Sequence, residues 1–256
     1  MNQSLVLSGI SKRFCSDRGG TVEALRDVTL TVPTGRITVL LGPSGCGKST
    51  LLQLIAGFET PDSGRMEQGG RPFSPEGTGM VFQSPALFSW LTVEQNVAFG
   101  LKRRKVPALQ RKQLVSDMIN RVGLTGFEQV YPHELSGGMQ QRTALARVLV
   151  LQPDLLLMDE PFAALDAQLR ERMQALLLEL WAQRRQTILF VTHDVEEALR
   201  IAHQVVVFTA RPGTVEKVLE LPSAPGSRDL TSSALTDCRT EIRAALNASS
   251  VHQPLP

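Results

Sequence analysis

The sequence has few cysteines, little net charge and no long apolar run, and each shortage narrows what the protein can be. Its three cysteines lie far apart without metal-ligand spacing, which favours a reducing compartment over a disulfide scaffold or a zinc site. The net charge of +2 gives no reason to expect bulk binding to nucleic acid. We predict no signal peptide, because the N-terminus lacks a basic segment followed by an apolar core. We predict no transmembrane helix, because no apolar run is long enough to cross a bilayer.

The remaining composition is that of an ordinary globular protein, with 42% hydrophobic and 20% charged residues. A length of 256 residues suits one large α/β domain or two small ones. One local departure is the basic cluster Lys102–Lys105. The pattern favours a solvated helix end, and a contact with a membrane surface or lipid headgroups is the alternative.

A glycine-rich stretch, Gly42-Pro43-Ser44-Gly45-Cys46-Gly47-Lys48-Ser49-Thr50, stands between two apolar runs. Its spacing is the phosphate-binding loop pattern, for which strand, loop and helix is the expected setting. Glycines let successive N–H groups point at an anion, and the helix start adds its positive dipole end. We predict that Lys48 contacts the β- and γ-phosphates and that the Ser49 hydroxyl completes the shell of a Mg²⁺ ion.

Polar residues follow other apolar runs at the strand ends where ligands bind in such sheets. Asp159 is predicted to contact Mg²⁺ through water, and Glu160 to act as the base that activates the attacking water. His193 is a candidate contact to the γ-phosphate, and the Gln83 amide a candidate contact to both Mg²⁺ and the attacking water. A polar residue at the end of a strand is common and by itself indicates no function. The phosphate loop in the same chain favours the functional interpretation of these four residues.

A second glycine-rich helix start occurs at Leu135-Ser136-Gly137-Gly138-Met139-Gln140-Gln141-Arg142. Ser136 is a good N-cap, and Met139–Leu151 is predicted to be helical. This start also suits an anion, yet one nucleotide cannot easily occupy both starts. A two-fold dimer resolves the conflict, because the second start of one subunit can cover the γ-phosphate held by the other.

The order of predicted elements indicates an α/β fold with a mostly parallel sheet. An antiparallel β subdomain precedes it, from Leu5–Phe14 and Ala24–Val32, with a loop at Cys15–Thr21 between them. The core is assigned to residues 1–83 and 153–221, an inserted helical subdomain to 84–152, and a linker with a short helix, Leu235–Leu246, to 222–256. Later predicted elements are the strands Leu155–Met158, Ile188–Val191 and Val205–Phe208 and the helices Ala167–Arg185 and Asp194–Ala202.

Taken together, these motifs resemble those of the nucleotide-binding subunits of ATP-binding-cassette (ABC) transporters. The matching stretches, in the family's order, are Gly42–Thr50 (Walker A), Gln83 (Q-loop), Leu135–Gln140 (signature), Leu155–Glu160 (Walker B), Ala164–Asp166 (D-loop) and His193 (switch histidine). A narrower resemblance, to importers of nitrate, sulfonate and taurine, involves Trp90–Val93 with Asn96–Val97, Val191–Ala198, Ala210–Gly213, Asp229–Thr231 and Glu241–Ile242.

The resemblance implies a P-loop ATPase that uses ATP and Mg²⁺ and works as an ATP-dependent homodimer. The dimer would sit on integral-membrane permease subunits at the cytoplasmic face of the inner membrane, with a solute-binding protein as an indirect partner and no nucleic acid. Phe14, by itself more typical of a core aromatic, is implied to stack on adenine. Ser136, Gly138 and Gln140 are implied to act on the partner subunit's ATP.

Alternatives remain open at this point. Importers of thiamine-precursor pyrimidines share the same sequence motifs. A soluble ABC ATPase without a transport role is the alternative function from another class of protein. The solute itself cannot be named, because the permease and binding protein select it. Two departures from the group pattern are Ser84 after Gln83 and Ala163 before the D-loop. Cys46 lies inside the phosphate loop, so its alkylation is predicted to block ATP binding.

Overall fold

The computed structural model describes residues 3–15, 20–226 and 228–250. They form two compact units, the first from residues 1–76 and 182–256 and the second from residues 77–181. The predicted loop at Cys15–Thr21 lies largely outside the described residues. Across the described ranges, no helix is both long and apolar enough to cross a bilayer.

Ten strands, seven α-helices and one short 3-10 helix (Pro132–Glu134) make up the described secondary structure. The strands are β1 (Leu5–Cys15), β2 (Thr21–Val32), β3 (Ile37–Leu41), β4 (Ser63–Gln68), β5 (Arg71–Pro72), β6 (Thr78–Val81), β7 (Leu155–Asp159), β8 (Thr187–Thr192), β9 (Gln204–Phe208) and β10 (Val215–Glu220). The helices are α1 (Lys48–Ile55), α2 (Val93–Arg103), α3 (Ala108–Arg121), α4 (Gly137–Leu149), α5 (Ala167–Arg184), α6 (Val195–Ile201) and α7 (Ser233–Ser250).

The first unit contains an antiparallel sheet with the strand order β2-β1-β4-β5. Buried and more exposed residues alternate along parts of β1 and β2, as expected for a sheet with one face on the core. The predicted antiparallel strands are therefore confirmed, and both extend slightly beyond the predicted limits.

The first unit also holds the parallel strands that carry the phosphate loop. Strand β3 pairs in parallel with both β8 and β9, and β10 adds to β9 in the antiparallel sense. Every residue of β3, β8 and β9 is buried, which explains why these strands are continuous apolar runs in the sequence. The chain leaves the carboxyl end of β3 into the phosphate loop and then enters α1.

The segment predicted as a linker is held in place by one arginine. Arg228 donates hydrogen bonds to the backbone carbonyls of Leu199, Ala202, Pro222 and Ser223. Burial lowers the pKa of Arg228 to about 10. The helix α7 that follows is longer than predicted and buries Leu235 and Ile242.

The second unit combines two parallel strands with helices. Strand β6 pairs in parallel with β7, and the helices α2, α3 and α4 lie between them in sequence. These three helices fall within residues 84–152, the stretch assigned from the sequence to a helical subdomain. Helix α2 begins with a capping box: the Thr92 side chain accepts from Gln95 N, and the Gln95 side chain accepts from Thr92 N.

Candidate functional site

The phosphate loop has a backbone that only glycine can follow at two positions. Gly45 and Gly47 have φ angles of 75° and 99°, in the left-handed region. A Cβ at Gly47 would lie 2.6 Å from the Ala24 carbonyl oxygen, so a side chain is also excluded by space. Helix α1 begins directly after Gly47 without a side-chain cap. The loop therefore offers a helix start suited to an anion.

Lys48 lies within this loop. The residue is only 5% exposed, and its Nζ donates hydrogen bonds to the carbonyl oxygens of Gly42 and Pro43, each at 2.8 Å. The Cys46 Sγ lies 3.4 Å from the same ammonium. The loop thus holds a buried positive charge, as recognition of a phosphate requires.

A second segment of the first unit, Thr209–Thr214, packs against the phosphate loop. Arg211 Nε donates to the Gly45 carbonyl at 3.2 Å, and a Cβ at Gly213 would lie only 2.0 Å from the Cys46 carbonyl oxygen. This segment, which we call the brace, is itself anchored because Gly213 N donates to Ala24 O at 3.0 Å. The family resemblance of Ala210–Gly213 gave no indication of this contact.

His193 and Phe14 also lie in the first unit. His193 is exposed and directly follows β8, at the position predicted for it. The next residue, Asp194, caps α6 by accepting hydrogen bonds from the backbone N–H groups of Glu196 and Glu197. Phe14 is half-buried on β1, and the Lys12 Nζ lies 5.2 Å from its ring centroid.

In the second unit, two carboxylates end strand β7. Asp159 is its last residue and is buried, and Glu160 follows it with a φ of 42°. A non-glycine residue in this left-handed region costs of the order of 1–3 kcal/mol, and such strain is common at functional sites. Gln83 is exposed two residues beyond the end of β6. The residue before it, Phe82, accepts a hydrogen bond from the buried Gln141 amide at 3.4 Å.

The signature residues surround the start of α4. Ser136 is exposed and caps the helix, with its Oγ accepting from Met139 N at 3.3 Å. The Gln140 amide donates to the carbonyls of Pro132 and Leu135 and so supports the turn that leads into the helix. Gly138 lies close to the predicted D-loop, since a Cβ there would be 3.7 Å from Ala164 O.

Arg142 completes this region and is partly withdrawn from water. Its Nη1 donates to the carbonyl oxygens of Val122 and Gly123. Burial lowers the pKa of the Arg142 guanidinium, and the nearby Asp166 carboxylate raises it in opposition. The arginine therefore ties the signature helix to the end of α3.

The loop that follows Gln83 is ordered by one buried side chain. Asn96 is 0% exposed, and its amide donates to the carbonyls of Phe88, Leu91 and Thr92. The Phe88 N–H donates back to Asn96 Oδ1 at 2.9 Å. This role could not be predicted, because a lone asparagine in a helix gives no indication of the groups that it contacts.

An aromatic cluster stands beside this loop and reaches the surface. The Phe88 ring lies 4.5 Å from the Phe99 ring and 5.4 Å from the Trp90 ring, measured between centroids. The Arg147 guanidinium lies 5.2 Å from the Phe88 centroid, and burial lowers its pKa. Trp90 is 71% exposed, so the cluster presents an apolar side chain to solvent.

The predicted site residues thus divide between the two units. The phosphate loop, Phe14 and His193 belong to the first, whereas Gln83, the signature residues, Asp159 and Glu160 belong to the second. Within the first unit the loop residues form one continuous site supported by the brace. Within the second, the signature lies beside Ala164 and Leu165.

Comparison with known proteins supports the resemblance seen in the sequence. The ABC transporter family model matches residues 25–163. The taurine import ATP-binding protein TauB of Pelagibacter ubique is 47% identical over 222 residues, which cover 86% of this chain and 84% of that protein. The nitrate import ATP-binding protein NrtD of Synechocystis is 44% identical over 227 residues, which cover 88% and 85%.

A solved structure agrees with the same assignment. It is a dimeric ATP-binding cassette in a post-hydrolysis state, bound to ADP and phosphate. It is 28% identical to this chain, has a TM-score of 0.77, and covers 86% of this chain and 99% of its own. The predicted α/β fold of an ABC ATPase and the resemblance to the nitrate, sulfonate and taurine group are therefore confirmed. The chain belongs to the ABC transporter family, as an ATP-binding subunit.

Proposed function

We propose that the chain hydrolyses ATP to power an importer for a small anion or organosulfur solute of the nitrate, sulfonate or taurine kind. The observation that carries the proposal is the phosphate loop, with its glycine backbone, its uncapped helix start and the buried Lys48. The solute class is supported by the similarity to the ATP-binding proteins TauB and NrtD, which are named for taurine import and nitrate import.

Nucleotide binding is assigned to the first unit. The N–H groups of the loop and of the start of α1 bind the phosphates, and Lys48 turns its ammonium from the carbonyls of Gly42 and Pro43 towards the β- and γ-oxygens. Phe14 stacks on the adenine. Pro43, Ser44, Cys46 and Thr50 complete the loop around the phosphates.

Hydrolysis is assigned to groups that can handle a proton or a cation. Glu160 accepts the proton of the attacking water, and His193 contacts the γ-phosphate. The hydroxyl of Ser49, the amide of Gln83 and, through water, the carboxylate of Asp159 fit Mg²⁺, because this ion takes oxygen ligands and keeps several waters. The ion would neutralise charge that develops on the phosphate oxygens.

The signature is proposed to act in trans, in a dimer that closes on ATP. The start of α4 is a second helix start, and no acidic side chain lies in its first turn. It carries Ser136, Gly138 and Gln140, of which Ser136 is exposed. The proposal is supported by the dimeric state of the solved cassette with ADP and phosphate. ATP favours the dimer only to the extent that it binds the closed state more tightly than the open one.

The permease contact is proposed for residues 83–97. Trp90 is an exposed aromatic next to Phe88, and aromatic side chains of this kind anchor many interfaces. Residues 84–152 would form the helical subdomain inserted into the ATPase core of residues 1–83 and 153–221. The subunit would then lie at the cytoplasmic face of the membrane, with a solute-binding protein as the permease's own partner.

The central test is the substitution Glu160→Gln, which keeps the shape of the side chain and removes the base. We expect ATP binding to persist, turnover to fall by about 10²–10⁴-fold, and dimers to accumulate with Mg-ATP. Size-exclusion chromatography and steady-state phosphate release measure these effects. Glu216→Gln, which removes an exposed carboxylate on β10, is the matched control. Normal hydrolysis by the Glu160 variant would contradict the assigned base.

The transport role needs a second experiment, because ATP hydrolysis alone does not define a transporter. The permease should co-purify with this chain, and its solute-binding partner should bind a small anion or an organosulfur compound. The substitution Trp90→Ala should weaken the co-purification without changing ATP binding. A complex that forms equally well with and without Trp90 would remove that residue from the interface.

A further inference from the structure

The charge of the chain is unevenly distributed. The segment from Gln95 to Ser116 carries six cationic side chains and no carboxylate, whereas the whole chain has a net charge of only +2. The remainder is therefore net acidic. We call residues 102–112 the basic hairpin; its six cations are Lys102, Arg103, Arg104, Lys105, Arg111 and Lys112.

The structure brings these cations to one end of the α2–α3 pair. Lys102, Arg111 and Lys112 line a groove of about 350 Å³ between the two helices, and Glu94, whose carboxylate accepts a hydrogen bond from the Gln129 amide, lines it as well. Arg111 closes the hairpin by donating to Val106 O at 3.0 Å, and Arg104 ties it to the end of α4 by donating to Leu151 O at 2.6 Å. Within the part of the chain that the structure describes, none of the six cations forms an ion pair.

The fold itself accounts for only some of this charge. Lys102 and Arg103 lie in the last turn of α2, where cations favour the helix dipole. Arg111 and Lys112 lie near the beginning of α3, where cations oppose it, and neither an acidic residue in the first turn nor a side-chain cap compensates. An anion bound at this end would be attracted by both the side chains and the helix start.

An apolar side chain stands among the cations. Leu109, in the first turn of α3, is 75% exposed. Cations around an exposed leucine suit the boundary between lipid headgroups and acyl chains. Nucleic acid is less well matched, because the segment has a single aromatic side chain, Phe99, which is 39% exposed and already packs on Phe88.

We propose that the basic hairpin binds the headgroup phosphates of anionic phospholipids at the membrane surface, with Leu109 entering the interface. This goes beyond the proposed function, since it is a contact of the subunit with lipid rather than with a permease. It rests on that function only for bringing the subunit to a membrane. Because the contact is electrostatic, it should weaken as salt screens the charges.

The test measures binding of the purified full chain to vesicles by co-sedimentation. One set contains phosphatidylcholine alone, and the other contains phosphatidylcholine with phosphatidylglycerol. The variant Lys102→Gln/Arg103→Gln/Lys112→Gln removes three cations that make no side-chain hydrogen bond among the described residues. Each removed cation should lower the partition coefficient onto phosphatidylglycerol vesicles about fivefold, so the triple variant should bind about a hundredfold more weakly. Leu109→Ala should weaken it by about tenfold.

The matched control, Arg65→Gln/Arg71→Gln/Arg243→Gln, removes the same net charge from exposed positions of the first unit. It should keep vesicle binding within about fivefold of the unsubstituted chain, as expected if only local charge matters. An equal loss in both triple variants, or no preference for phosphatidylglycerol, overturns the proposal. Tighter hairpin-dependent binding to a short RNA duplex at the same salt overturns it in favour of nucleic acid.

ATP turnover without vesicles separates this proposal from the proposed function. The triple hairpin variant should hydrolyse ATP at the rate of the unsubstituted chain, because none of its changes lies in the nucleotide-binding groups. An unsubstituted chain that binds vesicles but does not hydrolyse ATP would contradict the proposed function alone. A chain that hydrolyses ATP but ignores phosphatidylglycerol would contradict the lipid contact alone.

Discussion

The brace gives the sharpest test of how the phosphate loop is held. In the substitution Gly213→Ala, the new Cβ would lie 2.0 Å from the Cys46 carbonyl oxygen and 3.3 Å from Leu25 Cδ2. Contacts under 3.0 Å essentially never occur for a real Cβ, so the two backbones must separate. Gly213 is held in place by two hydrogen bonds of 3.0 Å, because its N–H donates to Ala24 O and its carbonyl oxygen accepts from Arg26 N.

The strain should therefore move the phosphate loop. The required separation is about 1 Å, and overpacking of this kind costs about 1–3 kcal/mol of stability. A displacement of about 1 Å at a catalytic loop lowers kcat/KM by about a hundredfold. We expect a folded variant with a slightly lower melting temperature and a large loss of ATP affinity and turnover.

The assay compares ATP binding by calorimetry with steady-state hydrolysis and thermal melting. Gly20→Ala is the control, because a Cβ there would meet nothing within 4 Å. If Gly213→Ala melts lower but binds and hydrolyses ATP as well as the control, the brace supports only stability. If it behaves like the control in all three measurements, the reasoning from the close approach is wrong.

Three further predictions concern side chains that are buried or half-buried. Burial and nearby arginines lower the pKa of His203 to about 4 from 6.5, and its Nδ1 accepts from Ile37 N, so the folded chain should lose stability as the pH falls from about 6.5 to 4. This follows because the unfolded state binds the proton at a higher pH than the folded state does. Urea titrations should show that the free energy of unfolding of His203→Gln depends less steeply on pH between 6.5 and 4. An unchanged dependence on pH would contradict the assignment to His203. Asn96→Leu should lower the free energy of unfolding by about 2–4 kcal/mol and weaken permease binding, because the carbonyl of Phe88 loses its hydrogen-bond donor. ATP affinity should stay unchanged. Calorimetry measures the stability and the ATP affinity, and co-purification measures the permease binding. Cys46 is 1% exposed, so thiol reagents should modify it slowly in the folded chain and abolish ATP binding once they do; full ATP binding and turnover after its complete modification would refute this.

Element type was easier to predict than element limits. The apolar runs of β3, β7, β8 and β9 are buried throughout, so hydrophobicity alone indicated them. Limits differ where caps or side-chain contacts decide them. Asp194, predicted as the first residue of a helix, is instead its N-cap, and α7 extends to Ser250 rather than Leu246.

The candidate site divides in the same way. Gly42–Thr50 and Leu135–Gln140 were identifiable because phosphate recognition by a glycine turn and a helix start depends on neighbours in the chain. The brace at Arg211–Gly213 and the asparagine at position 96 were not, because their partners are defined by packing. Nothing in the local pattern of Ala210–Gly213 states that its glycine must touch Cys46.

What the sequence by itself determined is the chemistry: a loop and helix start for phosphate, a lysine within it, and carboxylates after an apolar strand. These are local patterns, because backbone N–H groups and adjacent side chains form them. Only the tertiary structure decided how the loop is supported, which side chain holds the Gln83 loop, and that three cations of the basic hairpin share one groove. Those features depend on contacts between residues distant in sequence, where sterics and burial select the partner.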